Sequence, residues 1–229
     1  MTDIHKIVLP HGGYQSLIVY KKSDLIYEGT VYFCRRFFPA YGNRTVDQMT
    51  QAARSCKQNI AEGSAASGTS KETELKLTNV ARSTLDELME DYLDWLRTHN
   101  APVWEASDAK AQATRKYAIS HLEWKDWQEK FNSRSPETIA NLMLTLCHQE
   151  CYLLDRMIAR QEEDFKKFGG VRERMHAART AARAEEWDKA IYSRITSATT
   201  PEELEKRIAE IRNCVSQTAW NLRKRKGWL

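Results

Sequence analysis

The sequence predicts an all-α protein: an antiparallel up-down four-helix bundle with an inserted helix and a helical C-terminal suffix. Three observations carry that expectation. Apolar residues recur at spacings of three and four through most of the 229 residues, the mark of one buried helix face. Glycine and proline are few, 9 and 5, and charged residues make up 29% of the chain, a composition that suits helices. Short loops join successive periodic stretches, as antiparallel neighbours in a bundle require. The expected division is a bundle over residues 1–170 with an insert at 101–135, then a suffix over 171–229.

Met1 to Ser16 reads as irregular, with a turn signal at Pro10-His-Gly-Gly13. Helix one follows from about Leu17 to Phe38. Tyr20, Asp24, Tyr27, Val31, Cys34 and Phe38 keep the helical spacing, Phe33 and Phe37 lie beside them, and Pro39 ends the run. Thr45 is the expected cap of helix two, whose seam is Val46, Met49, Ala53, Cys56 and Ile60. Gly63 to Ser70 is expected to break the helix and reverse the chain, with Gly63 left-handed just past the helix end. Ser70 caps helix three, whose seam is Leu77, Ala81, Thr84, Leu88, Tyr92 and Trp95.

The insert puts Tyr117, His121, Trp124, Trp127 and Phe131 on one face of a helix, more consistent with packing on the bundle than with a docking surface. Ser135-Pro136-Glu137 starts helix four, which Gly169-Gly170 stops. Two adjacent seams mark that helix: Met143, Leu146, Glu150, Leu153 and Met157, then Cys147, Cys151, Leu154 and Ile158. In the suffix, Thr200-Pro201-Glu202-Glu203 starts a last helix with a seam from Leu204 to Leu222.

Asn59-Ile-Ala-Glu62-Gly63, the Thr45-x-x-Gln48-Met49 entry and the Ser83-x-x-x-Glu87-Leu88 exit resemble a small bacterial four-helix bundle family. That family includes proteins encoded in intervening sequences of large-subunit ribosomal RNA genes and the accessory protein of diversity-generating retroelements. The resemblance covers roughly Tyr20 to Gly169, and the stretch beyond resembles a suffix that some members carry. It implies no catalytic activity, a ring-shaped homopentamer, and association with nucleic acid and a protein partner. Many relatives carry two consecutive arginines after the helix-two entry. This chain has Thr50 and Gln51 there, so basic residues on helix two reduce to Arg54 and Lys57.

The net charge of +4 is unevenly placed, because residues 171–229 hold 13 Lys and Arg against 8 Asp and Glu. Arg172, His176, Arg179 and Arg183 form a basic stripe on one helical face. Arg223, Lys224, Arg225, Lys226 and Trp228 add a terminal cluster with an aromatic residue that could stack on a base. These residues are the candidate contacts for RNA or DNA, against a reading in which they are a solvated face and the protein is a scaffold for protein partners. Asn59, Glu62, Gly63, Glu87 and Glu150 are the candidate structural motif, with Glu150 a carboxylate in the middle of a buried seam.

Five cysteines show no disulfide framework, no leader opens the chain and no run spans a membrane, which predicts a cytoplasmic protein without membrane contact. A di-metal bundle site wants two Glu-x-x-His pairs, and the chain has only Glu173 with His176. No zinc spacing, nucleophile motif or phosphate loop is present, so no metal, no cofactor and no enzymatic activity are expected.

Overall fold

Leu25, Ile26 and Phe33 are spaced to share one helical face, and all three are buried in α1, Ile18–Phe37. The structure, a computed structural model, describes residues 8, 11–39 and 42–214, and every regular element among them is helical. The other helices are α2 (Arg44–Ala66), α3 (Lys71–Thr98), α4 (Ala109–Tyr117), α5 (Gln128–Ser133), α6 (Pro136–Phe168), α7 (Val171–Thr196) and α8 (Pro201–Cys214). Short 3-10 turns lie at Tyr14–Ser16 and Trp124–Asp126. None of the described helices is long and apolar enough to cross a membrane.

The chain divides into two compact units between Val171 and Arg172. In the first, α1 packs on α2 and α6, and α3 packs on the same two, so the four long helices enclose one core. The helix-two seam is buried at Met49, Ala53, Cys56 and Ile60. The helix-three seam sits one position over from its expected line in part. Thr78 and Leu85 are buried, while Leu77 and Thr84 are half-buried. Gly29 faces α6 closely, since a Cβ there would lie 2.7 Å from Met143 Sδ.

Two caps differ from expectation. Asn43, and not Thr45, caps α2: its side-chain oxygen accepts from Thr45 N at 3.0 Å, and Thr45 is already inside the first turn. Gly63 is not left-handed. Positive φ among described glycines occurs at Gly12, Gly13, Gly42 and Gly169, while α2 runs on through Gly63 to Ala66. What that position needs is a small residue, because a Cβ would meet the Glu74 carbonyl oxygen and Leu77 Cβ of α3 at 3.4 Å each. The reversal is made by Ser67 to Thr69, and Ser70 caps α3 by accepting from Thr73 N at 3.1 Å.

The insert is not a single helix. Tyr117 ends α4, stacks on His121 at 3.7 Å and donates its hydroxyl to Asp126 O at 2.9 Å. Trp127 Nε1 donates to His121 O at 2.9 Å. These side chains bond to the backbone between them, which holds the chain in a fold-back where a continuous helix would keep its carbonyls to itself. Trp127 and Phe131 are fully buried, so the aromatic residues do serve packing. Helix α6 begins as its sequence says, with Ser135 accepting from Thr138 N and Pro136 in first position, and Gly169 ends it at φ 65°.

The second unit holds α7 and α8. Ile191 and Ile211 are its buried apolar residues among those described, flanked by Ile195 and Ile208. Arg207 fastens the two helices by donating to Arg194 O at 2.6 Å, and within α8 it pairs with Glu203 at 2.9 Å. Thr200 Oγ1 accepts from Glu203 N at 3.2 Å, and the Glu203 carboxylate accepts from Thr199 N at 3.1 Å.

Candidate functional site

The first half of α7 carries a row of basic residues. Arg172, His176, Arg179 and Arg183 recur at steps of four, three and four, and all are exposed. Trp187 extends the series by another step of four and is 52% exposed. At about 1.5 Å per residue the stripe from Arg172 to Trp187 is about 22 Å long. Arg172 and Arg174 stand in the opening turns of α7, where the helix dipole disfavours cations. Trp187 is a member of the stripe that the basic pattern alone does not include, and its step of four after Arg183 is the signal that marks it. Arg223, Lys224, Arg225, Lys226 and Trp228 lie outside the described residues.

A second cluster is buried between α1 and α6. Glu150 is fully buried, and neither carboxyl oxygen has a hydrogen-bond partner among the described residues. Burial pushes its carboxyl well above the usual carboxylate range, against the pull of the Lys22 charge. Lys22 is 3% exposed, and its ammonium donates to Gln149 Oε1 at 2.9 Å and to Ala118 O at 3.4 Å. Burial lowers the Lys22 pKa and Glu150 raises it. The two ionisable groups thus influence each other while the ammonium donates to neutral oxygens. Gln149 anchors the arrangement by also donating from Nε2 to Arg115 O at 3.0 Å.

The remaining motif residues are not brought together. Asn59 is half-buried and donates to Ser55 O of its own helix at 2.8 Å. Glu62 and Glu87 are exposed. The ties at the α2–α3 turn come from elsewhere. Gly12 N donates to Ser64 O at 3.2 Å, and buried Gln161 donates from α6 to Thr78 Oγ1 at 3.1 Å and Glu74 Oε1 at 3.3 Å. Glu87 lies with Asp47, Glu90 and Asp91 along an open trough between α2 and α3. The Asp91 carboxyl is raised by burial first, then by the negative charges of Asp94 and Glu87. On the α2 side, Lys57 is committed to Asp24 at 2.9 Å and lies over the Tyr27 ring.

Cys34, Cys56, Cys147 and Cys151 are buried free thiols. Burial pushes Cys34 and Cys151 up to about 11 and Cys56 and Cys147 well above the ordinary thiol value, which keeps all four protonated and unreactive. Among the described residues no group of three or more His, Cys, Asp and Glu is placed to hold a metal ion. Comparison with family models, known proteins and solved structures finds nothing that matches this chain.

Proposed function

We propose that this protein is a non-enzymatic, oligomeric accessory protein that binds RNA or DNA through one face of α7. The first unit is read as an antiparallel up-down four-helix bundle of the family the sequence resembles. The observation that carries the reading is the exposed series Arg172, His176, Arg179, Arg183 and Trp187. Cations along one face can neutralise successive phosphates, and an indole at the end of the row offers a stacking surface. The α2–α3 face is a poor alternative, because its trough is acidic and Lys57 is already paired. A homo-oligomer, a pentamer by the resemblance, would present the stripe several times and multiply weak contacts. The test is fluorescence anisotropy of the intact chain with a labelled single-stranded oligonucleotide at about 0.1 M salt, where screening is moderate. Saturable binding is the expected result, and no binding overturns the reading.

The second reading is a scaffold that binds only protein. The observation that favours it is exposed apolar surface: Phe165 and Phe168 near the end of α6, and Met175 and Tyr192 on α7. Light scattering that finds a mass well above 26.6 kDa, joined to no oligonucleotide binding, would select this reading.

A further inference from the structure

We propose that the groove between α1, the end of α4 and α6 binds a small free carboxylate with an apolar body, such as a medium-chain fatty acid. This site is independent of the α7 stripe. The groove has a volume of about 440 Å³, within the range of small-molecule sites. Ile18, Ile119, Tyr152 and Leu153 form its apolar walls. The first three are 58%, 74% and 60% exposed, so apolar surface stands open to water around one concavity.

Lys22 and Arg115 are the cationic side chains of the lining, beside Gln149 and His148, and no carboxylate lines the groove among the described residues. Lys22 is the side chain that sets the ligand chemistry. The residue is 3% exposed, and its ammonium is held by two neutral acceptors, Gln149 Oε1 and Ala118 O. An ammonium has three donors, so one remains. Glu150, next to Gln149 on α6, does not pair with it, since neither of its carboxyl oxygens accepts a hydrogen bond among the described residues. A buried cation without a paired anion is costly, and a ligand carboxylate would remove that cost.

One negative charge suits the site better than two. Arg115 stands in the lining but is only half-buried, so Lys22 is the one fully buried cation there. A dianionic phosphate would carry a second charge into apolar walls with no buried partner for it. A carboxylate offers one charge, oxygens to accept the remaining Lys22 donor, and a hydrocarbon body to cover Ile18, Ile119 and Tyr152.

The experiment is calorimetric titration of the full chain with octanoate, octanol and octyltrimethylammonium. Octanoate should bind about tenfold or more tighter than octanol, the effect of one hydrogen bond to a charged partner, and the cation should not bind. Lys22→Met, which replaces the ammonium by an apolar end of similar length, should erase the preference for octanoate. Ile119→Glu, at an exposed position that leaves the core untouched, should weaken octanoate by placing a like charge at the mouth. Equal affinity for octanoate and octanol, no octanoate binding by the parent chain, or an unchanged preference in Lys22→Met overturns the proposal. So does conversion of a larger assembly to monomer by Ile119→Glu in a parent that binds no octanoate, because the groove is then a contact between copies.

Discussion

The two units of this chain divide their residues in opposite ways. The Val8–Val171 unit buries large side chains from four long helices, among them Leu25, Phe33, Ile60, Leu88, Tyr92 and Met143. The unit from Arg172 buries Ile191 and Ile211 among its described residues, and leaves Met175, Trp187 and Tyr192 exposed. Hydrophobic stabilisation scales with apolar area removed from water, so the first unit has far more of it than the described part of the second. The second spends its longest helix on a charged face. That contrast says which unit tolerates surface change for function and which does not tolerate change in its interior.

Core truncation should separate the two units most strongly. Leu88 is fully buried between facing helices, and Leu88→Ala should cost about 2–5 kcal/mol through reduced burial and the cavity left behind. Ile211→Ala should cost less, because among the described residues its apolar cluster is Ile191, Ile195 and Ile208. Urea titration followed by circular dichroism reads both, and equal losses would erase the contrast.

Overfilling comes next in size. Gly29→Leu forces a side chain against Met143 and Phe131, neither of which can move into solvent. A loss of about 1–3 kcal/mol is expected. An unchanged urea midpoint would show that α1 can draw back from α6 at no cost.

Glu150 gives a smaller effect with a defined sign. Its carboxyl is raised in the folded protein, so the folded state holds a proton that the unfolded chain releases above the ordinary carboxylate pKa. Stability is therefore lost as pH rises from that value towards the folded pKa. Glu150→Gln removes the ionisation and should raise the melting temperature at pH 7.5, with the gain shrinking towards pH 4. A gain of the same size at both pH values would mean that the carboxyl is not held neutral.

Much of the first unit is legible in the sequence because its signals are local. The helix-two seam and the Ser135-Pro136 start of α6 depend on residues within a turn or two of each other, as does the Thr200 start of α8 in the second unit. The insert reads as one helix because its aromatic spacing satisfies a helix pattern. What ends the helix is a set of side-chain bonds from Tyr117 and Trp127 to the backbone. At Gly63 the sequence misleads, since a glycine before a loop suggests a left-handed cap, whereas the close passage of α3 decides its role. Lys22 is not legible at all. Its burial rests on Gln149, 127 residues away in sequence, and a single lysine on an amphipathic helix carries no mark of that. Of the nucleic-acid candidates, the α7 arginines are legible as a stripe, and Trp187 is legible by its step of four after Arg183 once an aromatic residue is counted with the cations.

The measurement that bears most directly on the division of labour is the salt dependence of oligonucleotide binding for two triple variants. One removes Arg172, Arg179 and Arg183 from α7. The other removes Lys21, Arg54 and Lys116, three exposed cations of the first unit, so that net charge changes equally. Each phosphate left without its cation lowers the slope of log affinity against log salt by about 0.7–0.9. The α7 variant should show a slope smaller by about 2 and bind more weakly at every salt concentration, with little change in sequence preference. The first-unit variant should match the parent chain. Equal weakening in both variants would reduce the stripe to general charge, and weakening confined to the first-unit variant would place the nucleic-acid face on the bundle.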